Sequence, residues 1–122
     1  LIAQRNGIAS YSKVTNASIN SSEGEASNFN INMAINFDNG TVPGGSLTLT
    51  DSSGEWFAAY SGLITIDKLE LNVNFASHNN NFADGDITAA FTNGLEQISG
   101  RFNLFEVANP QVNTNGSFTI KE

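Results

Sequence analysis

Between Asn28 and Phe37 every second residue is large and apolar, with one exception in the polar set: Phe29, Ile31, Met33, Ile35 and Phe37 alternate with Asn28, Asn30, Asn32, Ala34 and Asn36. Successive side chains of an extended chain point to opposite faces, so this run predicts a strand with one dry face and one wet face. The same period recurs in Leu69, Leu71, Val73 and Phe75 against Glu70, Asn72 and Asn74, in Leu47 and Leu49 against Ser46, Thr48 and Thr50, and in Phe118 and Ile120 against Ser117 and Thr119. Helical period is nearly absent. Alternation on this scale predicts antiparallel sheet, one face on a core and the other in water.

Turn residues punctuate these runs. Asn-Gly, whose two positions both tolerate positive φ, occurs at Asn6-Gly7, Asn39-Gly40, Asn93-Gly94 and Asn115-Gly116. Further breaks are expected at Ser21 to Ser27, Pro43-Gly44-Gly45, Asp51 to Gly54, Asp67-Lys68, His78 to Asp84 and Asn109-Pro110. The strands so delimited are Ile8 to Val14, Asn28 to Asp38, Gly45 to Thr50, Glu55 to Ile66, Leu69 to Ala76, Gly85 to Phe91, Gln97 to Val107 and Ser117 to Lys121. Short links favour neighbouring hairpins, so the chain reads as an all-β, eight-stranded antiparallel meander β-barrel, with a β-sandwich as the alternative. About eight strands is the smallest barrel whose own side chains fill it. On Glu55 to Ile66, Trp56, Ala58, Tyr60 and Gly62 share one face and Phe57, Ala59, Ser61 and Leu63 the other. Neither face is wholly polar, and the outer one is expected to be partly covered.

The 122 residues suit one domain spanning 1–122. Five Lys and Arg against twelve Asp and Glu leave a formal charge of −7, which argues against nucleic acid and anionic lipid as partners. Only 14% of the residues are charged and 39% are apolar, so the chain can fold around a core. Zero cysteines exclude disulfides, thiolate metal sites and a cysteine nucleophile. The apolar stretches, such as Trp56 to Tyr60, fall far short of the roughly 18 residues that a membrane-spanning helix needs. Leu1 to Asn6 has neither the basic start nor the apolar core of a signal peptide, and the chain is expected to be a domain excised from a longer protein.

The stretch Ile87-Thr-Ala-Ala-Phe-Thr-Asn-Gly-Leu-Glu-Gln-Ile-Ser-Gly-Arg-Phe-Asn-Leu104 resembles the hairpin of transferrin-binding-protein-B-like β-barrels. Phe91, Gly94, Leu95, Glu96, Gly100 and Phe102 hold the positions of an aromatic strand end, a glycine turn, a small or apolar residue with Glu, and a following Gly-x-Phe. Leu95 stands where that family usually has Ala, and the lipoprotein cysteine is missing. Ile35-Asn-Phe37-Asp-Asn-Gly-Thr-Val42 leading into Gly45-Ser-Leu-Thr-Leu49 is similar to another of its hairpins. Arg5-Asn-Gly-Ile-Ala-Ser-Tyr11 and the Trp56 strand are similar to the barrel found after FecR-type domains in bacterial envelope proteins. The resemblance implies a β-barrel binding or structural module of the bacterial cell envelope, periplasmic or surface-exposed, working through a protein partner or a neighbouring domain. From the residues alone, Gly100 would let a bulky neighbour pack on the backbone, and Glu96 would either accept turn amides or be solvated.

Candidate chemistry is sparse. His78, the lone histidine, falls in the polar stretch Ser77-His-Asn-Asn-Asn-Phe82 and is read as a solvated loop residue, with haem ligation open only through Tyr11 or Tyr60. The Asp84-Gly-Asp86 stretch invites calcium, but aligning Gly85 with the EF-hand glycine puts Phe91 where the bidentate Glu belongs, leaving a weak site of Asn81, Asp84 and Asp86. No nucleophile elbow or glycine-rich phosphate loop is present. Asp38, Asp51, Asp67, Asp84 and Asp86 fall at expected strand ends or turns, where solvation explains them. Asn28, Asn30, Asn32 and Asn36 form an amide ladder that could meet sugar hydroxyls. No catalytic, cofactor or metal residues are assigned, and the chain is expected not to be an enzyme. Trp56, Tyr60 and His78 are the candidate partner contacts, with a haem-, metal- or sugar-binding protein as the alternative.

Overall fold

The computed structural model describes residues 6–66 and 68–122. Among them are nine antiparallel strands: β1 (Ile8–Tyr11), β2 (Lys13–Ser21), β3 (Ser27–Asn36), β4 (Thr41–Asp51), β5 (Gly54–Thr65), β6 (Lys68–His78), β7 (Asn81–Thr92), β8 (Gln97–Glu106) and β9 (Asn113–Lys121). They form one sheet in the order β1-β3-β4-β5-β6-β7-β8-β9-β2. The strands at its two ends, β1 and β2, are successive in the chain and separated only by Ser12, whose amide donates to the Lys121 carbonyl at 3.0 Å. The sheet therefore curls into a nearly closed barrel. One continuous sheet excludes the sandwich.

The expected strand from Ile8 to Val14 is in fact the start of a longer segment that changes neighbours at Ser12, which is why nine strands stand in place of eight. β1 pairs with β3 and β2 with β9, leaving a seam between β2 and β3. Val14, Ala17 and Ile19, opposite the inward Ile120, Phe118 and Gly116, keep part or all of their exposure along that seam. Phe29 closes much of it by stacking on Phe102, with ring centroids 5.8 Å apart.

Several expected breaks lie inside strands. Pro43-Gly44 forms a bulge of β4, between the Val42–Gly62 and Gly45–Tyr60 pairs, where Pro is tolerated. Asn115-Gly116 lies within β9, where Gly116 faces Phe102. The expected loop from His78 to Asp84 shrinks to Asn79-Asn80, whose φ angles of 49° and 68° make a two-residue hairpin turn. Asp67 and Arg5 lie outside the described residues, so the turn at Asp67 and the first residue of the Arg5 to Tyr11 resemblance do too.

The core follows the alternation. Ile31, Met33, Ile35 and Phe37 are buried and Phe29 packs on them. Tyr11, Leu47, Leu49, Trp56, Tyr60, Ile98, Leu104 and Ile120 line the same interior. Glycines lie opposite several rings: Gly45 faces Tyr60, Gly100 faces Phe118 and Gly116 faces Phe102. At one end of the barrel the Tyr11 hydroxyl donates to the Leu95 carbonyl in the β7–β8 turn, tying the first strand to a distant hairpin. In that turn Glu96 accepts a hydrogen bond from the Asn93 side-chain amide at 3.0 Å while staying exposed.

Candidate functional site

The other end of the barrel carries a buried polar cluster built by four strands. It begins at the tight turn Asp51-Ser-Ser-Gly54 between β4 and β5, where the Asp51 carboxylate accepts the Ser53 amide at 3.0 Å. Two residues into β5, the Trp56 indole N–H donates to Asp51 Oδ2 at 2.8 Å. His78, the last residue of β6, lies parallel to Trp56 with centroids 4.0 Å apart and an interplanar angle of 13°. Its Nε2 meets Asp51 Oδ1 at 3.0 Å and its Nδ1 meets Glu106 Oε2, at the end of β8, at 2.6 Å.

Geometry decides what this cluster can do. A neutral imidazole carries one N–H, so donating to both carboxylates at once takes the imidazolium form. Burial pushes the Asp51 carboxyl up most strongly of any single influence, but hydrogen bonds from His78, Trp56 and the Ser53 amide, with the charge of His78, together hold it below its ordinary value of 3.8. The two carboxylates sit on opposite nitrogens of one ring, so the three groups do not converge on a common point where an ion could bind. Among the described residues no group of three or more His, Asp or Glu is arranged to hold a metal. No buried side-chain polar atom of the described residues lacks a partner. The cluster pins the β4–β5 turn to the ends of β6 and β8.

These positions correct the sequence-based expectations. His78 is 1% exposed, so it is no solvated loop residue, because the two-residue turn keeps it within β6. Trp56 and Tyr60 point inward and are as deeply buried, so none of the three offers a partner an accessible surface. Tyr60 donates to the Asn32 carbonyl, and burial pushes its hydroxyl pKa well above 10.0. Haem ligation through His78 with Tyr11 or Tyr60 finds no geometry here, since all three are engaged inside the wall. Asp51 is buried rather than solvated. Asn81, Asp84 and Asp86 are strung along extended β7 and do not wrap a loop, while Asp84 accepts its neighbour's Gly85 amide.

Two partners of His78 carry a signal in the strand pattern itself. Asp51 continues the inward phase of Leu47 and Leu49, and Glu106 that of Phe102 and Leu104. An acid on the buried phase of a strand needs a buried partner.

Exposed aromatic surface lies outside the same end of the barrel. Phe82 is 76% and Phe75 47% exposed, their ring centroids 6.3 Å apart, and Phe57 lies 6.1 Å from Phe75. Phe75 points outward because β6 bulges beside it: Ala59 pairs with Phe75 and Tyr60 with Val73, leaving Asn74 as the extra residue. That bulge also returns Ala76 and His78 to the inside. Exposed Val107 sits beside the cluster, its amide donating to the Phe82 carbonyl at 3.0 Å.

Compared with family models, curated proteins and solved structures, the chain has no match in any of the three.

Proposed function

We propose that this barrel is a non-enzymatic binding module of a bacterial envelope or surface protein that contacts a protein partner or neighbouring domain through its outer strands and loops. The single observation that carries the reading is the exposed Phe75–Phe82 pair, with half-buried Phe57 against Phe75 and exposed Val107 beside it. A few aromatic anchors commonly supply most of a protein–protein binding energy, and soluble chains seldom leave such rings in contact on their surface. The polar cluster supports the same reading from the inside. Its histidine has both nitrogens engaged and its acids are turned inward, so it braces the loops around the aromatic patch and presents no reactive group. The envelope setting comes from the resemblance to transferrin-binding-protein-B-like barrels.

Photo-crosslinking in the cells that make the protein tests this. A benzoylphenylalanine at position 82 is expected to yield a discrete protein adduct, and one at Asn30, on the outer face of β3, none. Equal labelling from both positions, or no protein adduct from position 82, overturns the proposal.

A further inference from the structure

The exposed rings of Phe75 and Phe82 have acids around them and, among the described residues, no Lys or Arg. Phe57, Ser77 and Phe82 form one outward row across β5, β6 and β7. Glu55 precedes Phe57 by two residues and Asp84 follows Phe82 by two, so each carboxylate shares the outer face with its ring. β5 and β7 are both antiparallel to β6 and run the same way, which sets Glu55 on the rim side of the row and Asp84 on the waist side. A strand spacing of ~4.8 Å and a rise of ~3.4 Å put the two residues roughly 17 Å apart. Both are exposed, and neither forms an ion pair with a Lys or Arg of the described residues. Exposed Asp86 continues the outward phase of β7. At the rim the β2–β3 loop adds Glu23 and Glu25, held there by the Ser52 amide, which donates to the Glu23 carbonyl at 3.0 Å.

The described cations lie elsewhere. Lys13 and Lys68 begin β2 and β6 and Lys121 ends β9, all at the opposite end of the barrel. Arg101 pairs with Thr88, about 20 Å along β7 from Phe82. The aromatic patch therefore faces solvent within a field of one sign. A ring face is itself electron-rich and attracts a guanidinium or ammonium group, so rings and carboxylates favour the same kind of visitor. Charges at the edge of a contact select partners and speed their encounter more than they add affinity.

We infer that the Phe75–Phe82 patch takes a basic segment of a partner protein, with apolar side chains seated on the rings and Arg or Lys on both sides meeting Glu55 and Asp84. The inference rests on the patch being a protein contact and adds the partner's chemistry. A second copy of the chain fits badly, since a two-fold contact through this patch sets acid against acid. Anionic lipid and nucleic acid meet the same repulsion. In an extended segment alternate residues share a face at steps of ~6.8 Å, so two basic residues flanking two apolar ones on that face span about 20 Å. That span suits the separation of the two carboxylates.

The test is an NMR titration of the isotopically labelled chain with the end-capped peptide Arg-Ser-Leu-Ser-Leu-Ser-Arg, whose arginines and leucines share one face when extended. Two control peptides replace the arginines with Glu or the leucines with Ser. The arginine–leucine peptide is expected to shift the amides of Phe75, Phe82 and Asp84 and to bind more weakly as salt rises. Both controls are expected to bind at least about tenfold more weakly. Phe82→Ser, at an exposed position, should lose about tenfold in affinity, and Glu55→Gln with Asp84→Asn about fivefold, all with unchanged melting temperature. Asp38→Asn with Glu96→Gln, the same charge change at the far end of the barrel, should lose nothing. Equal binding of the glutamate peptide that still depends on Phe82 overturns the basic partner and leaves the contact patch standing. No binding by the arginine–leucine peptide, shifts away from the patch, equal losses in the two double variants, or a Phe82-dependent dimer in sedimentation also overturns the inference. Crosslinking from position 82 decides the contact reading by itself, so the two can fail separately.

Discussion

Gly100 on β8 lies directly beneath the ring of Phe118 on β9: a Cβ added there would stand 2.8 Å from the ring's Cζ and would also press on the Thr88 carbonyl. One step along, the relation is reversed, Phe102 on β8 lying over Gly116 on β9. Each ring covers the backbone that the facing glycine leaves bare, a packing that stabilises glycines within sheets.

Gly100→Ala should therefore destabilise the barrel by about 1–3 kcal/mol, because a Cβ blocked by backbone and ring leaves no cheap rearrangement. Urea melts measure it. A loss under about 0.3 kcal/mol would show that Phe118 moves aside freely and that the pairing is incidental.

The His78 cluster makes a sharper demand. Removing His78 leaves Asp51 buried with two of its three donors, so His78→Ala is expected to cost about 3–5 kcal/mol. Asp51→Asn and the double variant complete a cycle, and the coupling between the two sites should exceed about 1 kcal/mol. Additive effects would mean that ring and carboxylate do not act as a pair.

How much of this was legible in the sequence depends on what each residue's neighbours reveal locally. The inward set from Phe29 to Phe37 could be read directly, since period two is a property of one strand. The place of His78 could not, because the bulge at Asn74 exists only through pairing with β5, and an alternation carried on from Leu69 sends residue 75 inward and 78 outward. Pro43-Gly44-Gly45 and Asn115-Gly116 looked like turns because glycine serves turns and ring-facing strand positions alike. The change of partner at Ser12 is a closure effect, set by strands more than a hundred residues apart in the chain. The Asp51–His78–Glu106 cluster was half legible: the phase of both acids was there to see, but their common partner was hidden by the bulge.

Stability should fall at both ends of the pH scale for two identifiable reasons. Asp51 has a folded pKa below its unfolded value of 3.8, so its contribution is present above 3.8 and is lost as pH falls through the folded value. Tyr60 has a folded pKa raised above 10.0, so its contribution is present below 10.0 and is lost as pH rises through the folded value. Urea midpoints from pH 2.5 to 11.5 are expected to drop at each edge. Asp51→Asn should flatten the acid limb alone and Tyr60→Phe the alkaline limb alone, and a variant that leaves its own limb unchanged removes that residue as the cause.

The Asn79-Asn80 turn closes the hairpin next to His78, and it can be tested by itself. Both residues have positive φ, the geometry in which Asn-Gly is the preferred pair, since glycine enters that region without a Cβ penalty. Asn80→Gly should then stabilise the hairpin by up to about 1 kcal/mol, while Asn80→Ala should destabilise it by about 1 kcal/mol. Neither change should move His78, because the His78–Asn81 pair and the Glu106 hydrogen bond fix the register from outside the turn. Inserting a third residue between Asn79 and Asn80 acts differently: it must either bulge out, leaving His78 in place, or slip one strand and carry the imidazole to the wet face. The Trp56–His78 stack reports which occurs, through the indole fluorescence that a parallel imidazole at 4.0 Å perturbs. Unchanged emission in Asn80→Gly with a changed spectrum in the insertion variant is the expected pair of results. A stabilised Asn80→Ala would show that the turn is not held in the positive-φ form and that His78 is kept inside by its carboxylates alone.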